Sequence, residues 1–174
     1  MTKYAITPTG IERSFGEEEL IVSKTDLKGR ITYANDVFAR VSQYSVKELL
    51  GAPHSIVRHP DMPRCAFKLL WDTIEAKREI FAYVLNMAKS GDHYWVFAHV
   101  TPSFDAAGNV IGYHSNRRRP DPGQIATIKP IYAALLAEEN RYEDRRLGME
   151  KSTALLTATL REAKVGYDQF VFAI

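Results

Sequence analysis

The hydrophobic period of the chain changes near its middle, and this change predicts the order of its elements. In the first part, two runs rich in β-forming residues flank the glycine of Asp26-Leu27-Lys28-Gly29-Arg30, which is typical of a β-hairpin: Leu20-Ile21-Val22 and Ile31-Thr32-Tyr33-Ala34. Asn35-Asp36 then offers an N-cap, and Ser45-Val46-Lys47-Glu48 forms a capping-box pattern. Two short helices are therefore predicted after the hairpin.

A longer helix and three strands are predicted further along. Phe67, Leu70, Trp71 and Ile74 recur at the spacing of one helix face, so this helix should pack its aromatic face inward. The period then becomes two, and three strand candidates follow: Phe81–Met87, Tyr94–Thr101 and Val110–Asn116. Both parities of the first two strands are largely apolar, so the sheet should be covered on both faces.

This order of elements predicts an α+β fold, with a five-stranded antiparallel sheet and short helices on one face. Two C-terminal helical patterns follow Pro120-Asp121-Pro122-Gly123; their apolar positions are Ile125, Ile128, Tyr132 and Leu135, then Leu155, Leu156, Leu160 and Ala163. We therefore divide the chain into an N-terminal cap (1–17), a central domain (18–119) and a C-terminal helical extension (120–174). The extension should cover either the open face of the sheet or a partner.

Composition narrows the class of protein. The 174 residues suffice for one domain with an appendage, and 45% apolar with 25% charged residues is ordinary for a soluble globular protein. No apolar run approaches the roughly 20 residues that span a bilayer, and the N-terminus lacks a signal-peptide pattern, so we expect a cytoplasmic protein without membrane insertion. The net charge of +2 is spread along the chain, which argues against a nucleic-acid partner. Cys65 is the single cysteine, which excludes an internal disulfide.

Several separated motifs resemble one family in the same order. The opening Asp26–Asn35 resembles the start of a PAS domain. The match then narrows to the PAS domain of the bacterial aerotaxis receptor family through Gly51–Pro63, Asn86 and Lys89–Val96, and it covers residues 18–137. The resemblance identifies residues 18–119 as a PAS sensory domain and implies the PAS fold.

The resemblance also implies a cofactor and its site. Members of that family hold FAD non-covalently and report cellular redox state to the chemotaxis machinery. Carried over residue by residue, the resemblance implies cofactor-binding positions at Arg58, His59, Asp61 and Asn86, with His54 and Trp71 lining the same pocket. The chain differs from the family at Lys77-Arg78-Glu79-Ile80, where Gly-x-Pro-Trp is usual.

The partners that we expect follow from a second difference, because the chain lacks the transmembrane segment and the signalling hairpin of the receptors. A stand-alone PAS protein has to act by association. It could form a homodimer through its N-terminal segment or the helix around Ile125–Leu135, or dock on a chemoreceptor or a histidine kinase. The redox or oxygen signal would then pass from the sheet to the C-terminal extension.

The predicted site has alternative interpretations. In Arg58-His59-Pro60-Asp61, Asp61 could simply cap the helix beginning near Pro63 while Arg58 is solvated. Alternatively, the planar donors of Arg58 and the free backbone amides of that helix start could bind a diphosphate. Asn86 shares a strand face with Ala82 and Val84, so its buried amide needs partners. Either a neighbouring loop or the edge of a flavin ring could supply them.

Other residues suggest different chemistry. One axial histidine suffices for haem, so haem b is the alternative cofactor, with five candidates: His54, His59, His93, His99 and His114. Cys65 is best interpreted as a buried structural residue, and Arg117-Arg118-Arg119 as a solvated exit from the sheet. No catalytic constellation is present, so we expect a sensor; a flavin-dependent enzyme is the less favoured alternative.

Overall fold

The computed structural model describes residues 6–174 and begins its sheet with the predicted hairpin. Strand β1 (Ile21–Thr25) pairs antiparallel with β2 (Ile31–Ala34). The carboxylate of Asp26 closes the turn by accepting hydrogen bonds of 2.8 Å from two backbone amides of the turn. Gly29 has a φ of +72°, a conformation that side chains disfavour. The hairpin prediction is confirmed.

The helices that follow are capped as their sequences predict. Helix α1 (Asp36–Ser42) begins after Asn35, whose side chain accepts from the Phe38 amide, and α2 (Val46–Leu49) begins with the Ser45–Glu48 capping box. A 3₁₀ helix (His54–Val57) and the longer helix α3 (Arg64–Glu75) complete this layer. All of these elements lie between β2 and the third strand.

The last three strands complete a five-stranded antiparallel sheet. Strands β3 (Ile80–Met87), β4 (His93–Phe104) and β5 (Val110–Arg118) form a meander, and β5 pairs with β1 to give the order β2-β1-β5-β4-β3. Strand β3 is therefore an edge strand. The α+β prediction with this sheet is confirmed.

Two of the three C-terminal helices cover the outer face of β3 and β4. Helix α4 (Pro122–Glu139), α5 (Arg145–Glu162) and α6 (Tyr167–Ala173) follow the sheet. The Tyr132 hydroxyl of α4 donates to the carbonyl of Tyr83 at 2.7 Å, and Phe172 of α6 lies 4.7 Å, ring to ring, from Phe81. The face that was expected to need a cover is thus buried by the chain itself.

The N-terminal segment lies against the start of β4. Glu12 forms a parallel bridge with His93, and Phe15 is buried in the core. Residues 1–5 of the predicted cap lie outside the described residues, and the division at residues 17 and 119 stays a prediction. None of the helices within residues 6–174 combines the length and apolar content needed to cross a bilayer.

Candidate functional site

A cavity of about 650 Å³ lies between α3 and the inner face of the sheet. Strands β1, β3, β4 and β5, the 3₁₀ helix and α3 all contribute to its wall, and Met149 of α5 reaches it as well. Four of the six sequence-predicted site residues line this cavity: His54, Arg58, Trp71 and Asn86. Their roles as cofactor ligands stay predictions.

Helix α3 provides the apolar wall of the cavity. The predicted face is the one that lines it: Phe67, Leu70, Trp71 and Ile74. Trp71 packs edge-on against Tyr113 with ring centroids 5.6 Å apart, and a Cβ placed on Gly29 would lie 3.0 Å from its indole. The close approach of the hairpin turn therefore holds Trp71 in the wall of the cavity. The prediction of an inward aromatic face is confirmed.

Arg117 is the main correction to the sequence analysis. It is 2% exposed and lines the cavity, whereas Arg118 and Arg119 are exposed as expected. Strand period explains the difference, because Tyr113, Ser115 and Arg117 share the inner face of β5. The interpretation of all three arginines as a solvated exit from the sheet was wrong for this one.

The guanidinium of Arg117 is buried without a carboxylate. Its Nη2 donates to the Ser23 hydroxyl, its Nη1 lies 3.2 Å from His54 Nε2, and its carbon lies 4.5 Å from the centroid of Phe38. Within residues 6–174 its Nε has no hydrogen-bond partner and no acidic side chain pairs with it. Burial lowers the pKa of Arg117 to about 10. A buried cation of this kind costs several kcal/mol of stability unless an anion or acceptor satisfies it.

His54 is a neutral acceptor beside this cation. Arg117 can only donate, so His54 Nε2 accepts and the ring proton is on Nδ1. Burial and then the charge of Arg117 lower the pKa of His54 to about 3. The ring is therefore uncharged throughout the physiological pH range.

The neutral state of His54 predicts a loss of stability in acid. The pKa of His54 is lower in the folded state, so the unfolded chain binds the extra proton and the free energy of unfolding falls as the pH drops from about 6.5 towards 3. The loss from this group should reach up to about 1.4 kcal/mol per pH unit. Urea unfolding of wild type and His54→Gln from pH 7 to pH 4 measures it: the variant should lose less stability, and parallel curves would contradict the assignment.

Asn86 places a polar group on the edge strand beside the cavity. It is buried on the same face as Val84, as its parity predicts, and its side chain makes no hydrogen bond to any residue between 6 and 174. Its backbone forms an isolated antiparallel bridge with Arg58. The neighbouring loop therefore pairs with the backbone of Asn86 and not with its side chain. The side-chain amide of Asn86 faces the cavity.

Arg58 and other charged residues form the rim of the cavity. The Arg58 guanidinium lies 4.2 Å above the ring of Phe67, and burial is the main cause that lowers its pKa. It is therefore partly buried, not the solvated residue of the alternative interpretation. The other charged rim residues are Lys28, Arg64, Lys68, Asp72 and Glu75. Four cations against two carboxylates give this rim a net positive charge.

The structure places His59 and Asp61 outside the cavity wall. His59 is buried edge-on against His93, and its Nδ1 accepts a 3.1 Å hydrogen bond from the Asp61 amide. The Asp61 side chain is 69% exposed. The cofactor-binding role of this pair stays a prediction from the resemblance alone.

The start of α3 is occupied by a residue that the sequence analysis missed. Pro63 holds the N-cap position without a side-chain cap, so Asp61 does not cap this helix. Glu139, from the end of α4, accepts a 2.9 Å hydrogen bond from the Cys65 amide. The expected free amides at this helix start are therefore not all free. No sequence signal indicates a contact between residues 74 positions apart.

Two other residues that the sequence analysis discussed, Cys65 and Ile80, do not line the cavity. Cys65 is buried, as predicted, and is not among the residues that line the cavity. Ile80, in the segment where the family has an aromatic residue, is buried but does not line the cavity either. In the described part of the chain, no three histidine, cysteine or acidic side chains are grouped to hold a metal ion.

Comparison with known proteins agrees with this fold. The PAS fold family matches residues 31–117. The aerotaxis receptor of Escherichia coli K12 is 44% identical over 121 residues, which cover 70% of this chain and 24% of the receptor. The nitrogen fixation regulatory protein of Klebsiella pneumoniae is 28% identical over 102 residues, 59% of this chain and 21% of that protein. The chain thus spans less than a quarter of the length of these relatives.

A solved structure shares the fold at lower identity. A light-oxygen-voltage domain described with a flavin analogue aligns with a TM-score of 0.56 and 21% identity, and covers 71% of this chain and 87% of that one. At this identity the likeness concerns the fold alone.

Proposed function

Because the chain belongs to the PAS fold family of sensory domains, we propose that it binds a flavin, FAD, and signals cellular redox state or oxygen through protein contacts. The observation that carries the proposal is the wall of the cavity, where a few unsatisfied polar groups stand within apolar surface. Ligand sites for planar cofactors have this composition, and their volumes are typically about 300 to 1,000 Å³. A flavin supplies one- and two-electron redox chemistry when bound.

The inner end of the cavity suits the polar edge of a flavin ring. The Nε of Arg117 can donate, and the Asn86 amide can both donate and accept. Phe67, Leu70 and Trp71 offer the apolar surface on which a flat ring packs. Asn86 and Arg117 would orient the ring, and the α3 face would exclude water from it.

The positive rim suits the diphosphate of FAD. Arg58 and Arg64 line the cavity on the α3 side, with Lys28 and Lys68 also on the rim. An arginine fork binds the oxygens of one phosphate in pairs, so Arg58 and Arg64 together suit the two phosphates of a diphosphate, as the family resemblance also implies. FAD is therefore proposed ahead of FMN.

The partners are proposed from the relatives. The aerotaxis receptor and the nitrogen fixation regulatory protein share their matched segments with this chain, so a signalling partner of the chemoreceptor or histidine-kinase type is the first candidate, with a homodimer as the second. We propose a cytoplasmic location, without a nucleic-acid partner and without insertion into a membrane. The protein is proposed to be a sensor and not an enzyme.

Haem remains the second candidate cofactor because two histidines, His54 and His114, are among the residues that line the cavity. Strand parity turns the His114 side chain away from the inner face of β5, which carries Arg117, so His54 is the candidate axial ligand. The geometry of His54 favours flavin over haem, since its Nε2 already accepts from Arg117 and lies 3.2 Å from the Ser23 hydroxyl. An axial ligand would have to break these contacts and bring iron beside a buried cation.

The absorbance spectrum of the purified protein tests the proposal. We expect near-ultraviolet and blue flavin bands, and release of FAD on denaturation. A Soret band without released flavin would replace flavin by haem. Oxidation of added electron donors well above the rate of free flavin would indicate an enzyme.

Substitutions of Arg58 and Asp61 test whether the cavity wall or the family resemblance identifies the FAD-binding residues. Arg58→Ala should weaken FAD binding by roughly ten- to hundredfold, because it removes a charge-assisted contact to phosphate. The resemblance predicts a similar loss for Asp61→Ala, whereas a side chain outside the cavity wall should change affinity by less than about threefold. Titration of the stripped, refolded proteins with FAD measures both. Full affinity in Arg58→Ala would remove this residue from the site.

A further inference from the structure

The buried carboxylate of Glu139 joins the cavity wall to the C-terminal helices. Its Oε1 accepts from the Cys65 amide in the first turn of α3 at 2.9 Å and from the Ser152 hydroxyl of α5 at 2.8 Å. Glu139 and Ser152 are both fully buried. One residue of α4 thus holds two other helices, one of which carries the apolar face of the cavity.

Arg64 makes a second connection at the same place. It lines the cavity, its Nη1 donates to the carbonyl of Arg145 at the start of α5, and its Nε lies 3.8 Å from Glu139 Oε2. That oxygen has no hydrogen-bond partner in the described part of the chain. Burial is the main cause that lowers the pKa of Arg58, and the charge of Glu139 raises this pKa by a smaller amount. The only carboxylate in these contacts is shared by the two arginines that are proposed to bind phosphate.

The packing around Glu139 leaves little freedom for independent movement. A Cβ on Gly148 of α5 would lie 2.4 Å from the Glu139 carbonyl, so the two backbones are in direct contact. Met149, the next residue, lines the cavity. A shift of α5 therefore moves both a residue of the cavity wall and the contact that caps α3.

We propose that Glu139 is a positioning residue that couples occupancy of the cavity to docking of α4 and α5, by capping α3 from another helix. When the C-terminal helices are docked, Glu139 satisfies the start of α3 and Met149 closes the wall. When they separate, α3 loses its cap and the wall opens beside Arg58 and Arg64. A ligand that contacts this wall binds the docked state more tightly and so strengthens docking. The part of this proposal that concerns FAD rests on the proposed function.

The single cysteine allows docking to be measured in the full-length chain. Cys65 is buried beneath the Glu139 contact, so a thiol reagent reaches it only when that region opens. The variants are Glu139→Ala, Glu139→Gln, which keeps an acceptor oxygen, and the control Glu150→Gln, which makes the same charge change at an exposed position of α5.

The expected result is a graded increase in the labelling rate of Cys65. Glu139→Ala should raise the rate about tenfold or more, because it leaves buried donors unsatisfied, and Glu139→Gln should raise it less. Glu150→Gln should stay within about twofold of wild type. Saturating FAD should slow labelling of wild type about fivefold or more, and Glu139→Ala should lose this effect while flavin absorbance shows that FAD is bound.

Two results would overturn the coupling. One is a Glu139→Ala rate equal to that of Glu150→Gln, and the other is a wild-type rate that bound FAD does not change. If absorbance shows that wild type binds no FAD, the proposed function fails instead. Hydrogen exchange of Phe67–Ile74 without ligand then decides the coupling: faster exchange in Glu139→Ala than in Glu150→Gln supports it, and equal exchange rejects it.

Discussion

Replacing Arg117 by methionine is expected to weaken flavin binding by about a hundredfold or more and to leave the domain folded, with a free energy of unfolding that is unchanged or raised by up to about 3 kcal/mol. The reason is the isolation of this charge. A buried cation without a carboxylate destabilises the fold, and an apolar side chain of similar length removes that cost.

The partners of Arg117 limit the damage. Ser23 Oγ and His54 Nε2 are 3.2 Å apart, so the hydroxyl can donate to the ring once the guanidinium is gone. Flavin binding, in contrast, should weaken, because Arg117→Met removes a charged hydrogen-bond donor from a site of low dielectric constant, where such a hydrogen bond is strongest. A residue that costs stability and is needed for binding is typical of functional sites.

Urea unfolding of the cofactor-free protein and FAD titration measure the two halves of this prediction. Arg118→Met is the matched control, because it removes the same charge from the exposed neighbouring position. The control should bind FAD as wild type does. Full FAD affinity in Arg117→Met would separate this residue from the cofactor, and a loss of more than about 2 kcal/mol would show that the arginine stabilises the fold.

The elements that the sequence predicted are those with local signals. The spacing of Phe67, Leu70, Trp71 and Ile74 is a property of one helix, and the capping box at Ser45 and Glu48 lies within four residues. Strand parity likewise put Asn86 on the correct face. Such patterns do not depend on the rest of the chain, so they were confirmed.

The site was predicted less completely because its polar groups depend on tertiary context. Parity alone would have turned Arg117 inward with Tyr113, but a run of three arginines favours solvent for all of them. The contact of Glu139 with Cys65 joins residues 74 positions apart, and nothing in a single sequence indicates it. The match of His59 and Asp61 to the family carried no information on where their side chains lie.

Asn86→Leu is expected to abolish the structural response of the C-terminal helices to flavin reduction while the fold and much of the flavin remain. Asn86 is the polar group of the β3 face beside the cavity, and its amide can present either a donor or an acceptor to the ring edge. Its backbone is bridged to Arg58, on which the charge of Glu139 in α4 acts. Strand β3 also contacts the C-terminal helices directly, since the Tyr83 carbonyl accepts from the Tyr132 hydroxyl of α4, so we expect a shift of this strand on rotation of the amide to reach them.

Leucine has a volume similar to that of asparagine, but it can neither donate a hydrogen bond to the ring nor accept one. A switch needs contacts that differ between its two states, and leucine makes the same contact in both. Hydrogen exchange of residues 120–174 should differ between oxidised and reduced wild type, and this difference should vanish in Asn86→Leu. Asn116→Leu makes the same change on the outer face of β5, where Asn116 lies 3.2 Å from His114, and should keep the difference. If Asn86→Leu responds to reduction as wild type does, the signal leaves the cavity by another route, with the wall formed by α3 and Met149 as the next candidate.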